Sequence, residues 1–241
     1  MDTPLTDRHL VLDLDSTLIH TSSNVKLYQQ LALYSSPERA RHRLRVYRTD
    51  LYNINGTGRS GTALPMWGIW RPFVFHFLNF CNLYFNCIYI WSAGQYKYVH
   101  RIKDLIFYDP RYSRTNRLRQ PTAVLTFDDC EVGDTYLRKP LSNLYQISDA
   151  TPEKTIIVDD NLLTAVNNRD NHIHIPAYEP PHSIEGIEET DVCLLQLLHW
   201  LCLPAVIDAP DVRLLDKSTI FSTPLETYPL LTKEQQYQVT W

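Results

Sequence analysis

Three short apolar runs constrain this chain more than any other feature. His9-Leu10-Val11-Leu12, Ile88-Tyr89-Ile90-Trp91 and Thr155-Ile156-Ile157-Val158 each stop on a polar residue, respectively Asp13, Ser92 and Asp159. Short runs rich in β-branched and aromatic residues, cut off by polar ones, read as buried strands. Helical spacing fills the gaps at about 72–83, opened by Pro72, at about 95–106 and at about 140–146. Further strands are expected at 123–127 and 172–175, and an amphipathic helix at about 188–202. Strands alternating with helices predict an α/β fold, a Rossmann-like, mostly parallel sheet with helices on both faces. In such sheets function gathers beyond the carboxyl ends of the strands. Asp13, Asp15, Ser92 and Asp159 all fall there.

The remaining segments read as additions to that frame. Residues 22–66 form a polar, Arg- and Gly-containing insertion. Within it Gly56-Thr57-Gly58-Arg59-Ser60-Gly61 spells a GxGxxG pattern, but Thr62-Ala63-Leu64-Pro65 follows where a dinucleotide site needs a helix start, so it reads as a loop. Residues 1–203 are expected to form one domain, and 204–241, with four prolines, an extension laid over it or a partly ordered tail.

Several function classes are excluded or disfavoured. The polar start MDTPLTDRH is no secretory signal, and no apolar run reaches the roughly 18 residues of a membrane span. The longest apolar stretch, FVFHFLNFCNLYFNCIYIW, is broken by His76, Asn79, Asn82 and Asn86. Five cysteines without a CxxC pair argue against a disulfide framework or a cysteine-zinc site, and for a reducing compartment. The expectation is a soluble intracellular monomer, nuclear or cytoplasmic. Asn55-Gly56-Thr57 is then a chance glycosylation match. Net charge is −4, which gives no global attraction to nucleic acid. Arginines nevertheless crowd at 39, 41, 43, 45 and 48, and again at 111, 114, 117 and 119. They read either as solvated surfaces or as recognition of phosphate, which guanidinium groups bind bidentately.

Asp13-Leu14-Asp15-Ser16-Thr17 sets two carboxylates one residue apart at a strand end. Like charges that close need compensation. Ser92-Ala93-Gly94, Lys139 and Asp159-Asp160 supply a phosphoryl-transfer set around them. An aspartate nucleophile in such a set can form an acyl-phosphate, splitting one hard displacement into two. Mg²⁺ suits a carboxylate-rich site that must also accept phosphate. Lys139 adds a fixed positive charge, while Ser92 with the backbone N–H groups of Ala93 and Gly94 binds phosphate oxygens. Asp15 acts as general acid and base, and Thr17 orients it.

These motifs resemble the haloacid-dehalogenase-like (HAD-like) phosphatases, and more closely the NLI-interacting-factor branch, small phosphatases of the RNA polymerase II C-terminal domain. That branch opens on D-L-D-x-T-L-I/V-H, as in Asp13-Leu14-Asp15-Ser16-Thr17-Leu18-Ile19-His20. Arg71-Pro72 with Phe77-Leu78, Trp91-Ser92-Ala93-Gly94-Gln95-Tyr96, Tyr108-Asp109-Pro110, Lys139-Pro140-Leu141-Ser142-Asn143-Leu144 and Asp159-Asp160 are similar to its later motifs. The resemblance covers about residues 8–203. It implies Asp13 as nucleophile, Asp15 as general acid and base, and Mg²⁺ held by the Asp13 carboxylate, the Asp15 carbonyl and Asp160, with Asp159 orienting Lys139 or a metal-bound water. It also implies a small β insertion between the second and third motifs. No segment between the first two motifs reads as a large helical cap, and an open site suits a phosphoserine or phosphothreonine on a protein.

The family often carries Arg-Glu shortly before a cysteine; here Thr126-Phe127-Asp128-Asp129-Cys130 has no arginine, and Arg117 or Arg119 is the candidate substitute for binding substrate. Two other readings stay open: a phosphatase of nucleic-acid ends or small phosphoesters, and a non-catalytic docking protein of the same fold. His20 either borders the site or packs structurally. Trp67, Trp70, Trp91 and Cys130 read as core or groove wall.

Overall fold

The computed structural model describes residues 3–52, 63–108, 118–133 and 135–225. The GxGxxG stretch, Asp109, Pro110, Arg111, Arg114 and Arg117 lie outside them. In chain order, β1 (His9–Leu12) is followed by β2 (Ile19–Ser22), α1 (Val25–Gln30), β3 (Val46–Leu51) and β4 (Leu64–Trp70). Next come α2 (Val74–Tyr84), β5 (Cys87–Trp91), α3 (Tyr96–Phe107) and β6 (Ala123–Leu125). The chain continues through β7 (Glu131–Val132), β8 (Leu137–Arg138), α4 (Leu141–Ile147), β9 (Thr155–Asp159) and β10 (His172–His174). It closes with α5 (Ile184–Glu188), α6 (Cys193–Leu201) and α7 (Pro204–Ile207).

Five strands form one parallel sheet in the order β10-β9-β1-β5-β6. Side chains alternate across a strand, so the apolar runs must be buried on both faces. Leu10, Leu12, Ile88, Ile90, Ile156 and Val158 face one way, against α2, α3 and α6. Val11, Tyr89, Trp91 and Ile157 face the other, against Leu141 and Leu144 of α4. The α/β reading holds, with β1 central and Asp13 at its carboxyl end.

The segment expected as a polar insertion builds a second sheet, antiparallel, in the order β2-β4-β3. In β3, Val46, Tyr47, Thr49 and Leu51 are buried while Arg48 is exposed, so a partly alternating pattern lies beneath the arginine-rich composition. A small apolar cluster under this sheet joins Leu31, Leu33, Val46, Trp67, Ile69, Tyr178 and Ile187. Between the second and third motifs the β insertion is a short hairpin, β7 against β8.

The arginines of residues 39–48 serve this architecture. Arg39 donates to the Leu31 carbonyl at 2.6 Å and Arg43 to the Leu33 carbonyl at 2.9 Å. Arg45 is buried and donates to the Trp70 carbonyl at 3.0 Å. Arg41 pairs with Glu188 at 2.7 Å, and Arg48 lies over the Tyr28 ring.

Residues 204–225 are packed rather than trailing. Val206, Val212 and Ile220 join the main apolar cluster. Buried Arg8 donates to the Ile207 and Ala209 carbonyls at 3.2 and 2.8 Å, tying this segment to the start of β1. Among the described residues, no helix is long and apolar enough to cross a membrane.

Candidate active site

Parallel pairing brings the ends of β1, β5 and β9 to one edge, and with them Asp13, Ser92 and Asp159. Lys139 reaches that edge from the residues just before α4. Its backbone is pinned on both sides: its N–H donates to the Thr164 carbonyl at 2.7 Å, and Asn168 Nδ2 donates to its carbonyl at 2.7 Å. Its side chain is buried, and Nζ donates to Asp13 Oδ1 at 2.5 Å and to Asp159 Oδ2 at 2.7 Å. Asp159 Oδ1 accepts from the Asn161 N–H at 2.8 Å, so both of its oxygens are engaged.

The charges in this cluster do not balance. Asp13, Asp15, Asp159 and Asp160 face a single ammonium. Burial opposes the charge on Lys139, but Asp13 and Asp159 together overcome it and hold its pKa above the ordinary lysine value. Burial likewise opposes ionisation of Asp159, yet Lys139 and the Asn161 N–H keep its carboxyl below the usual range. Asp13 must share the same ammonium, and burial pushes its carboxyl up to about 8. Burial also raises Asp15, as does burial together with the Asp159 charge for Asp160.

The loop after the nucleophile position is held tightly. Ser16 adopts φ of 56°, a left-handed conformation that costs a non-glycine residue about 1 kcal/mol or more. It turns the chain so that Ser16 N–H meets the Ile19 carbonyl at 2.7 Å, and the Leu18 N–H meets the Leu14 carbonyl at 2.8 Å. Arg71 locks that turn with every N–H it has. Nη1 donates to the Thr17 and Ser16 carbonyls at 3.0 and 3.4 Å, and Nη2 to the Pro176 carbonyl at 2.8 Å. Nε and Nη2 also form a fork on Asp191 at 2.9 and 2.8 Å. Thr17 is buried, and its hydroxyl donates to Asp160 Oδ1 at 3.3 Å.

Asp15 directs its carboxyl away from Lys139, onto the Tyr98 hydroxyl of α3, which donates to Oδ1. The Tyr98 hydroxyl lies 2.9 Å from that of Thr21, which lies 2.6 Å from that of Tyr47. Gly94 makes this possible. A Cβ there would sit 2.6 Å from Tyr98 Cδ1 and 3.2 Å from Ser92 Oγ. Ser92 is buried, and its Oγ accepts from the Gly94 N–H at 3.0 Å. Ala93 lies between them, half-buried.

Asp13, Asp15, Thr17, Ser92, Ala93, Gly94, Lys139, Asp159 and Asp160 thus share one edge of the sheet. Arg119 does not join them. Its Nη2 donates to the Phe85 carbonyl at 2.8 Å, before β5 begins, and Ser92 lies beyond the other end of that strand, about 20 Å away. Tyr98, Thr21 and Tyr47 carry no motif signal. Tyr98 could have been found from sequence only as a polar group about one turn into the helix that follows Ser92.

Carboxylate oxygens of Asp13, Asp159 and Asp160 lie within 4.8 Å of one another. An all-oxygen donor set of three clustered carboxyls sharing one ammonium fits a hard divalent cation such as Mg²⁺.

A family model described as NLI interacting factor-like phosphatase matches residues 8–213. The chain belongs to that family. Among solved structures it is similar to the fission yeast RNA polymerase II CTD phosphatase Fcp1, in a variant bound to beryllium fluoride, with 22% identity and a TM-score of 0.53. A second structure of Fcp1, described as an essential RNA polymerase II CTD phosphatase, aligns at 23% identity with a TM-score of 0.52. Both alignments cover 72% of this chain and 42% of the other, so this chain spans well under half of those proteins. At this identity the likeness shows a shared fold. No curated protein matches the chain.

Proposed function

We propose that this protein is a Mg²⁺-dependent phosphatase that removes phosphate from serine or threonine in an extended protein segment. The observation that carries this reading is the buried Lys139 ammonium bridging Asp13 and Asp159, with Ser92 and Asp15 on either side. Asp13 Oδ2, not engaged by Lys139, is the attacking atom. It forms a bond to phosphorus as the serine or threonine oxygen leaves, giving an aspartyl-phosphate. Asp15, its carboxyl raised by burial, donates the proton that the leaving oxygen needs, then takes one from water in the second step. Ser92 and the N–H groups of Ala93 and Gly94 hold the non-bridging oxygens, and Lys139 offsets their charge. Asp13, the Asp15 carbonyl and Asp160 are the groups to hold Mg²⁺, which when bound supplies the remaining positive charge. Asp159 orients Lys139.

Two features of the surroundings support a protein substrate. A groove of about 560 Å³ runs beside Tyr98, lined by Leu51, Leu64, Met66, Tyr96 and Phe127, with room for an apolar side chain flanking a phosphorylated residue. Of the arginines at 39–48 that would attract a nucleic acid, Arg39, Arg43 and Arg45 are engaged by carbonyls and Arg41 by Glu188. The polymerase C-terminal repeat is one candidate substrate, since Fcp1 is described as acting there.

The test compares hydrolysis of a phosphoserine peptide and a 3′-phosphorylated oligonucleotide, with Mg²⁺ and with chelator, by wild type and Asp13→Asn. Peptide hydrolysis that needs both Mg²⁺ and Asp13 is expected. Equal rates for wild type and Asp13→Asn would overturn the mechanism, and preference for the oligonucleotide would overturn the substrate.

A further inference from the structure

At the edge of the parallel sheet opposite Asp13, three side chains of different chemistry converge. His9 opens β1, Cys87 opens β5 directly across from it, and Asp149 follows α4 on the way to β9. One ligating atom of each lies within 4.8 Å of the other two. His9 is 3% exposed, Cys87 is half-buried and Asp149 faces solvent. His9 Nδ1 lies 3.3 Å from the hydroxyl of Tyr89, the next residue of β5 on the same face.

We propose that His9, Cys87 and Asp149 form a zinc site, separate from the catalytic aspartates, with a fourth position open to water. A nitrogen, a sulfur and an oxygen make a borderline-soft donor set, suited to Zn²⁺ and poorly suited to Mg²⁺. The all-oxygen cluster at the other edge has the reverse preference. One chain would therefore sort two ions by donor chemistry alone.

The geometry needs little adjustment. Donors around tetrahedral zinc, with bonds of about 2.0–2.3 Å, sit roughly 3.3–3.8 Å apart. Closing from separations of at most 4.8 Å takes a shift of about 1 Å, within reach of side-chain rotation. The His9–Cys87 pairing is fixed by strand register, with the core packed behind it. Tyr89 supplies the outer hydrogen bond that orients a ligating imidazole. Cys87 is a free thiol. On binding it forms the sulfur–zinc bond and releases its proton to solvent, while Asp149 supplies a carboxylate oxygen.

The test uses the full chain stripped with chelator and titrated with Co²⁺, whose thiolate charge-transfer band reports a cysteine ligand directly. The expected result is a band that saturates at one equivalent and is displaced by Zn²⁺. It should disappear in Cys87→Ser and persist in Cys130→Ser and Asp13→Asn. In Asp149→Ala, a change at an exposed side chain, cobalt affinity should fall at least about tenfold, since even outer groups are worth that much. No thiolate band in wild type, or a band that survives Cys87→Ser, would overturn the proposal. Neither readout depends on phosphatase activity.

Discussion

Arg71→Lys is the sharpest perturbation the fold offers, because it keeps charge and removes geometry. All five N–H groups of Arg71 are used, on the Ser16, Thr17 and Pro176 carbonyls and on the two Asp191 oxygens. Its side chain is 0% exposed and that of Asp191 18%. Lysine brings three donors on a single atom, so at least two acceptors lose their partner. Each buried group left unpaired costs about 1–3 kcal/mol, which gives about 2–5 kcal/mol for Arg71→Lys. Arg71→Met strands the Asp191 charge as well and should cost about 3–5 kcal/mol or more. Urea unfolding followed by tryptophan fluorescence measures both, with stability read from the midpoint at unchanged slope. The Arg71→Met/Asp191→Leu double variant should recover part of the loss, because no buried charge is then unpaired. Arg71→Lys should also lower kcat more than it raises KM, since the loop it releases carries Asp15 and Thr17. A change below about 0.5 kcal/mol, the level of ordinary surface substitutions, together with unchanged kcat, would refute the view that this guanidinium holds the loop.

Other expectations follow from the same geometry. Gly94→Ala should drive the Tyr98 ring off Asp15, costing about 1–3 kcal/mol in stability and lowering kcat by about tenfold or more, both measured on the purified variant. Lys139→Met should cost about 3–5 kcal/mol by leaving Asp13 and Asp159 facing each other, and adding Asp13→Asn should return part of that in the same unfolding assay. The Asp13 pKa is raised in the fold, so the folded state binds a proton the unfolded chain lacks. That contribution to stability is complete at low pH and lost as pH rises through about 8. Melting without metal should therefore fall as pH rises from about 4 to about 8, less so in Asp13→Asn. Mg²⁺ at ten times its Kd should add about 1.4 kcal/mol, with tighter binding at pH 8 than at pH 6.

The parallel sheet was legible because its strands are buried on both faces and end sharply. β5 was expected at 87–91 and forms at Cys87–Trp91. The antiparallel sheet was hidden for the opposite reason. Its strands are short, β3 carries Arg48 and Asp50, and β2 and β3 both pair with β4 rather than with each other. Composition also could not say what a guanidinium meets. Arg45 is as basic in sequence as Arg48, yet one is buried on the Trp70 carbonyl and the other is exposed. The motif residues could be gathered from strand ends, whereas the Tyr98–Asp15 contact spans 83 residues and exists only once α3 is docked.

The hydroxyl series from Tyr47 through Thr21 and Tyr98 to Asp15 crosses from the antiparallel sheet to α3 and the loop that follows β1. Tyr47 sits on β3 and Thr21 on β2, and β3 and β4 also supply Leu51, Leu64 and Met66 to the apolar groove. Selectivity and proton transfer thus share a scaffold. Remodelling those strands to admit a different peptide would also retune the acid, so variants selected for a new substrate should show altered pH–rate profiles even when no motif residue has changed.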